Sequence, residues 1–222
     1  SAASDVYKRQ VITYPGTSGG QTSQALLEKL GFEVDIVKSS DHLGQDLDLV
    51  LVADGSAYGG AVRPGAIASL DPISQDIKDF ADHGKVVIGL GNGFQILTEL
   101  DLLPGYFMKN PNLSYISKMV KVETKPDYLV TDHNPIDLFI SNKQASYQLS
   151  DQDLSQLEAN DQVLMTYQDD ETNSSHAIAG VTNKENNVFG LMPLLDRHQD
   201  QDITSDLGLT LTRDILKEKG LV

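Results

Sequence analysis

Residues 89–97, Gly-Leu-Gly-Asn-Gly-Phe-Gln-Ile-Leu, join an apolar stretch at 85–90 to a helical pattern at 94–100. A tight glycine turn between a strand and a helix is where many enzymes present a nucleophile. The centre of this turn is Gly91, which has no side chain to present. No thiol elsewhere can stand in for it, because the chain contains no cysteine. Cysteine catalysis, thiolate metal ligation and disulfides are therefore excluded. His42, His83, His133 and His176 show no mutual spacing of a metal-ligand kind, so no metal site is expected; no cofactor is expected either. His198 follows Asp196-Arg197 in a polar run and is expected at the surface; Ser174 and Ser175 are expected in a hairpin.

The elements that must position this turn read as an α/β chain. Residues 11–14 form a short β-branched run closed by Pro15-Gly16, a strand and then a loop. Ala25, Leu26 and Leu30 have helical spacing, and Gly31 stands where a C-terminal cap belongs. Residues 32–38 alternate as a strand, and 47–54 are nearly continuously apolar, as in a strand covered on both faces. A glycine-rich loop at 55–65 precedes a helix over 71–83, with Pro72 near its start and Gly84 past its end. A buried strand at 85–90 and a helix at 94–100 follow. Strands alternating with helices imply a parallel, helix-covered sheet, with ligand-binding loops beyond the carboxyl ends of its strands. Both glycine-rich loops, 55–65 and 89–93, fall there.

The second half changes character. Strands are expected over 113–124, 138–142, 162–168, 177–183 and 187–193. Ser150, with Asp153 three residues on, should begin a helix, 183–187 should form a hairpin turn, and a last helix should span 202–219 and end at Gly220. The simplest account is one α/β domain over 11–222 with extra strands inserted. Residues 1–10, Ser-Ala-Ala-Ser-Asp-Val-Tyr-Lys-Arg-Gln, carry no apolar period and are set aside as a non-native or disordered leader.

Charge narrows the partners. The chain holds 17 basic and 32 acidic residues, a formal charge of −15, and such a field repels nucleic acid and anionic membranes. No apolar run approaches the ~20 residues that span a bilayer. No secretory signal is visible, so the expected location is the cytoplasm.

Three stretches carry a resemblance. Residues 89–105 followed by Lys109-Asn110, residues 56–69 (Ser-Ala-Tyr-Gly-Gly-Ala-Val-Arg-Pro-Gly-Ala-Ile-Ala-Ser) and residues 173–193 are similar to the glutaminase subunit of phosphoribosylformylglycinamidine synthase, an enzyme of de novo purine synthesis. The match is collinear from about residue 11 to residue 197. It implies the triad-type glutamine amidotransferase fold: α/β, flavodoxin-like, a mostly parallel sheet covered by helices, with additional antiparallel strands in the second half. It implies glutamine hydrolysis that supplies ammonia to a synthase subunit. It also marks departures. Where the family turn reads Gly-Ile-Cys-Asn-Gly-Phe-Gln, the cysteine position is Gly91. Where the family ends Met-Pro-His-Pro-Glu-Arg, the histidine position is Leu194 and the glutamate position Asp196. The oxyanion loop Pro-Gly-Gly is matched by Ala53-Asp54-Gly55, with Asn92 following the nucleophile position. Tyr58 and Arg63 keep the family's next loop, and a His-Gly-Glu-Gly loop is matched by Asn142-Lys143-Gln144-Ala145.

Each lost group had a distinct task. The nucleophile must sit on a strained turn beside a general base, the base needs a pKa near neutrality, and the acid only orients the base. Glycine and leucine fill neither of the first two roles, and Asp196 has no histidine to orient. Asp54 sets a carboxylate where negative charge would develop and so opposes it, or caps the strand end by bonding local N–H groups; the two readings are compatible. Gly91 relieves a turn in which a cysteine carries strain of about 1–3 kcal/mol. The expected function is that of an amidotransferase-lineage subunit inactive as a glutaminase, binding to or scaffolding a purine synthase large subunit. Two other readings stay open: a glutaminase with an unrecognised nucleophile, and a module binding glutamine or another small metabolite in the old crevice.

Overall fold

The computed structural model describes residues 8–60, 63–125 and 134–222. The first half runs β1 (Lys8–Thr13), α1 (Gly20–Lys29), β2 (Glu33–Lys38), β3 (Leu47–Val52), α2 (Pro64–Ala68), α3 (Pro72–Asp82), β4 (Val86–Leu90) and α4 (Asn92–Glu99). The second runs β5 (Tyr106–Met108), β6 (Ile116–Thr124), β7 (Ile136–Asn142), β8 (Ser146–Gln148), α5 (Asp151–Ala159), β9 (Val163–Tyr167), β10 (Ile178–Thr182), β11 (Val188–Leu191) and α6 (Leu207–Glu218). Nine strands form one sheet in the order β2-β1-β3-β4-β11-β10-β9-β6-β7. From β2 to β11 every pairing is parallel; from β11 to β7 every pairing is antiparallel.

The apolar runs explain the parallel half. Leu49 to Val52 and Val87 are fully buried, as strands sandwiched between helices must be. In β2 only Val34 is buried, and the charged Glu33, Asp35 and Lys38 blunt an edge that would otherwise invite pairing. Ile73, Ile77 and Ala81 recur at helical spacing and form the buried stripe of α3, whose Pro72 sits in the first turn, where no N–H bond is lost.

Ser150 starts α5 as its spacing requires. Its hydroxyl accepts from the Asp153 N–H at 3.1 Å and donates to the Asp153 carboxylate at 2.7 Å. Ser150→Ala is expected to cost about 1 kcal/mol, read as a lower urea midpoint at unchanged slope.

Several boundaries differ from expectation. β1 begins at Lys8, inside the stretch set aside as a leader, while residues 1–7 lie outside the described residues. Long polar side chains conceal this strand: the Arg9 guanidinium lies over the Phe32 ring at 4.3 Å, and Gln10 accepts the Gly44 N–H at 3.0 Å. α6 begins at Leu207, not near residue 202, because Asp200 and Ser205 pair across a turn in which Asp202 N–H bonds the Asp200 carboxylate. β5 and β8 have only three residues each and pair with one another. They are held through Phe107, whose ring lies 4.8 Å from Phe94 and 5.1 Å from Tyr147. Among the described residues no helix is long and apolar enough to cross a membrane.

Candidate functional site

β4 delivers the chain into the glycine turn, and the turn starts α4. Gly91 has φ 54° and ψ −111°, a conformation that L side chains rarely adopt, and its N–H is anchored on Leu191 O of β11 at 2.8 Å. A Cβ at Gly91 would stand 2.2 Å from Asp54 Oδ1 and 2.8 Å from Leu194 Cδ2. The volume beside the turn is therefore already occupied, by a carboxyl group from the end of β3 and by an isobutyl group from the end of β11. Gly93 serves a different purpose: a Cβ there would lie 2.1 Å from Val52 O, so only glycine lets α4 start this close to β3.

Asp54 is 5% exposed, and its Oδ1 accepts the Asn92 N–H at 2.8 Å. This is the backbone donor that follows the turn's centre, so Asp54 caps a local N–H, as one of its two readings expects. Burial pushes the Asp54 carboxyl up to about 6, against the Asn92 bond and with the charge of Asp196 adding to the rise. Asp196, 1% exposed, is also raised by burial, with the Ser23 hydroxyl bond opposing. Ser23 donates to its Oδ2 at 2.9 Å, while Oδ1 has no protein partner. Leu194 is fully buried, and its N–H bonds Phe139 O at 2.8 Å.

His198 is fully buried, contrary to the expectation from its polar neighbours. Its Nε2 accepts the Phe139 N–H at 2.9 Å, so Nδ1–H is left to donate to Ser205 Oγ at 2.8 Å. The turn before α6 folds this segment against the edge of β7, which local sequence polarity does not reveal. Both ring nitrogens are engaged, and burial lowers the imidazole's pKa. Ser174 and Ser175 are likewise spent on structure, accepting the N–H groups of Tyr147 and Leu149.

The matched loop at 142–145 joins the turn through a chain of carboxamides. Asn92 Nδ2 donates to Gln95 Oε1 at 2.7 Å, and Gln95 Nε2 donates to Asn142 Oδ1 at 3.0 Å and to Gln144 O at 2.6 Å. Asn110 continues it, donating to Asn142 O and accepting the Ala145 N–H. The resemblance includes Gln95 and Asn110 but assigns neither a role; the signal is their place in the stretch 89–105 followed by Lys109-Asn110. Between this carboxamide chain and Gly55, Ser56 and Ala57 remains a cavity of about 30 Å³. Tyr58 and Arg63 are engaged elsewhere: the Tyr58 hydroxyl donates to Asp71, and Arg63 grips Glu99 at 2.8 Å.

Among the described residues no group of three or more His, Asp or Glu could hold a metal ion; His133 lies outside them. A roomier cavity of about 450 Å³ lies at the carboxyl ends of β1 and β2, lined in part by Thr13, Thr17, Ser18, Lys38 and Ser39. The turn itself brings together Gly91, Asp54, Leu194 and Asn92, a set with carboxyl, carboxamide and apolar groups but no nucleophile paired with a base.

The model of the CobB/CobQ-like glutamine amidotransferase domain matches residues 7–207. A phosphoribosylformylglycinamidine synthase subunit PurQ from Sulfurimonas denitrificans is 36% identical over 222 residues, covering 95% of this chain and 99% of that one. Its namesake from Helicobacter hepaticus is 38% identical over 204 residues, covering 89% and 90%. Among solved structures, a chain of PurLQS from Thermotoga maritima superposes with a TM-score of 0.85 at 32% identity, covering 96% of this chain and 99% of that one. A glutamine amidotransferase from Thermotoga maritima, at TM-score 0.58 and 12% identity over 98% of this chain and 86% of that one, shares the fold.

Proposed function

We propose, because this chain belongs to the CobB/CobQ-like glutamine amidotransferase domain family, that it is the amidotransferase-type subunit of a cytoplasmic phosphoribosylformylglycinamidine synthase, and that it docks on the large subunit without hydrolysing glutamine. The near-complete coverage of PurQ relatives supports the first part, as does the likeness to a chain of PurLQS. One observation carries the second: the space a nucleophile would occupy at Gly91 is filled by Asp54 and Leu194. A thioester route needs a thiolate, a base to take its proton and a free donor for the oxyanion. At this turn the first two residues are absent and the donor is bound to Asp54. Such a subunit would leave the synthase dependent on free ammonia.

The test is glutamate release from glutamine by the purified chain, alone and with its large subunit. Release is expected at the rate of the protein-free control in both cases. The assembled synthase should form product from ammonium salts and not from glutamine. Saturable glutaminase turnover would overturn the reading and point to a nucleophile elsewhere in the chain.

A further inference from the structure

We infer that the outer face formed by β5, the following turn and the start of β6 is the surface on which the large synthase subunit seats, through an apolar centre and two lysines that meet carboxylates of that partner. The inference rests on the subunit reading above. Ten large hydrophobic side chains stand exposed among the described residues, and five of them fall within residues 106–119: Tyr106, Met108, Leu113, Tyr115 and Met119. Leu113 is the most open of the five, 71% exposed.

Local packing holds this display in place. Phe107 turns inward onto Phe94 and Tyr147, so strand alternation sends Tyr106 and Met108 outward. Asn110 fastens the turn, its N–H donating to Lys143 O at 3.2 Å and its carboxamide donating to Ser114 O at 2.8 Å. The Tyr115 hydroxyl rests on Ser141, 3.0 Å from its Oγ. A face ordered before binding loses little conformational freedom on docking.

Charge selects the occupant. The chain carries −15, yet residues 106–125 hold four lysines and a single acid, Glu123. Lys118, Lys121 and Lys125 are paired with Glu171, Asp137 and Asp161. Lys109 and Lys143 are exposed, and among the described residues neither has a carboxylate in ion-pair reach. Two copies meeting face to face through this surface would set these lysines against each other, on molecules that already repel. A different protein with carboxylates around an apolar centre has neither conflict. Tyr115 and Lys143 also line the 30 Å³ cavity, so the partner would cover its mouth.

The experiment is calorimetric titration of the large subunit of the same organism with the full chain and its variants, each first checked for an unchanged melt. Leu113→Asp and Met108→Asp are expected to weaken binding by at least about tenfold, and Lys143→Glu by about tenfold with a shallower salt dependence. Leu70→Asp and Ile203→Asp, more exposed than Leu113 and Met108 but outside the face, should bind as the unmodified chain does. Unchanged affinity in both Leu113→Asp and Met108→Asp overturns this inference and leaves the subunit reading standing. Absence of binding by the unmodified chain removes that reading and this inference with it. Self-association lost in Leu113→Asp, without large-subunit binding, would assign the face to a second copy and overturn the inference.

Discussion

Gly91→Ala is expected to destabilise the chain by about 4 kcal/mol, and by only about 2 kcal/mol when Asp54 has first been replaced by glycine. Two costs add in the unmodified background. The first is conformational: at φ 54° and ψ −111° a Cβ carries roughly 1–3 kcal/mol of strain. The second is steric, about 1–3 kcal/mol, because that Cβ would lie 2.2 Å from Asp54 Oδ1 and 2.8 Å from Leu194 Cδ2. Neither neighbour gives way cheaply. Asp54 is anchored on the Asn92 N–H, and the Leu194 backbone on Phe139 O. Asp54→Gly removes most of the steric cost and leaves the strain. The coupling of about 2 kcal/mol should appear in a double-mutant cycle of urea midpoints. Equal penalties in both backgrounds would mean that Asp54 does not fill the space at residue 91. For the same reason, Gly91→Cys should not restore glutaminase activity: the thiol enters a filled site, beside a leucine where a base is needed.

This coupling cannot be read from either loop alone. By sequence Asp54 is a cap or an electrostatic opponent, and Gly91 a relaxed turn; that the carboxyl occupies the missing side chain's volume requires the distance between the ends of β3 and β4. The parallel half of the sheet is legible because Leu49–Val52 and Val86–Leu90 are apolar without alternation, which only a doubly covered strand tolerates. The antiparallel half is legible as strands, and the turn at 183–187 joins β10 to β11 as a hairpin, but the rest of the order is not legible, since pairing of β6 with both β7 and β9 is decided by tertiary packing. β5 and β8 are too short to carry a period, and Phe107, wedged between Phe94 and Tyr147, holds them. Of the residues carried over from the resemblance, Gly91, Asp54, Leu194 and Asn92 meet at the turn. Asn142 and Gln144 reach it through Gln95, and Tyr58 and Arg63 turn to Asp71 and Glu99. His198 escapes sequence reasoning because its neighbours along the chain are polar while its neighbours in space are β7 and the approach to α6.

Asp54→Asn is expected to stabilise the chain at pH 7.5 by about 3 kcal/mol and to flatten a loss of stability that the unmodified chain shows as pH rises from about 4 to about 6. The sign follows from proton counts. The folded-state carboxyl titrates at about 6, whereas the unfolded one titrates near ~3.9. Between those values the folded state holds a proton that the unfolded state has released, so stability falls with rising pH and the deficit is complete above the folded pKa. The asparagine carboxamide would keep an acceptor for the Asn92 N–H and carry no charge to desolvate. Asp196 is displaced in the same direction, so the unmodified transition belongs to both carboxyls, and the variant should keep the part due to Asp196. Urea midpoints for both proteins from pH 4 to pH 8 make the comparison; parallel curves would show that Asp54 does not carry the proton. At neutral pH the unmodified site holds an ionised carboxylate on the Asn92 N–H, at a cost in stability, and that charge opposes any oxyanion forming there. The more stable asparagine variant should still release no glutamate, because lifting the repulsion supplies nothing at residue 91 that can attack.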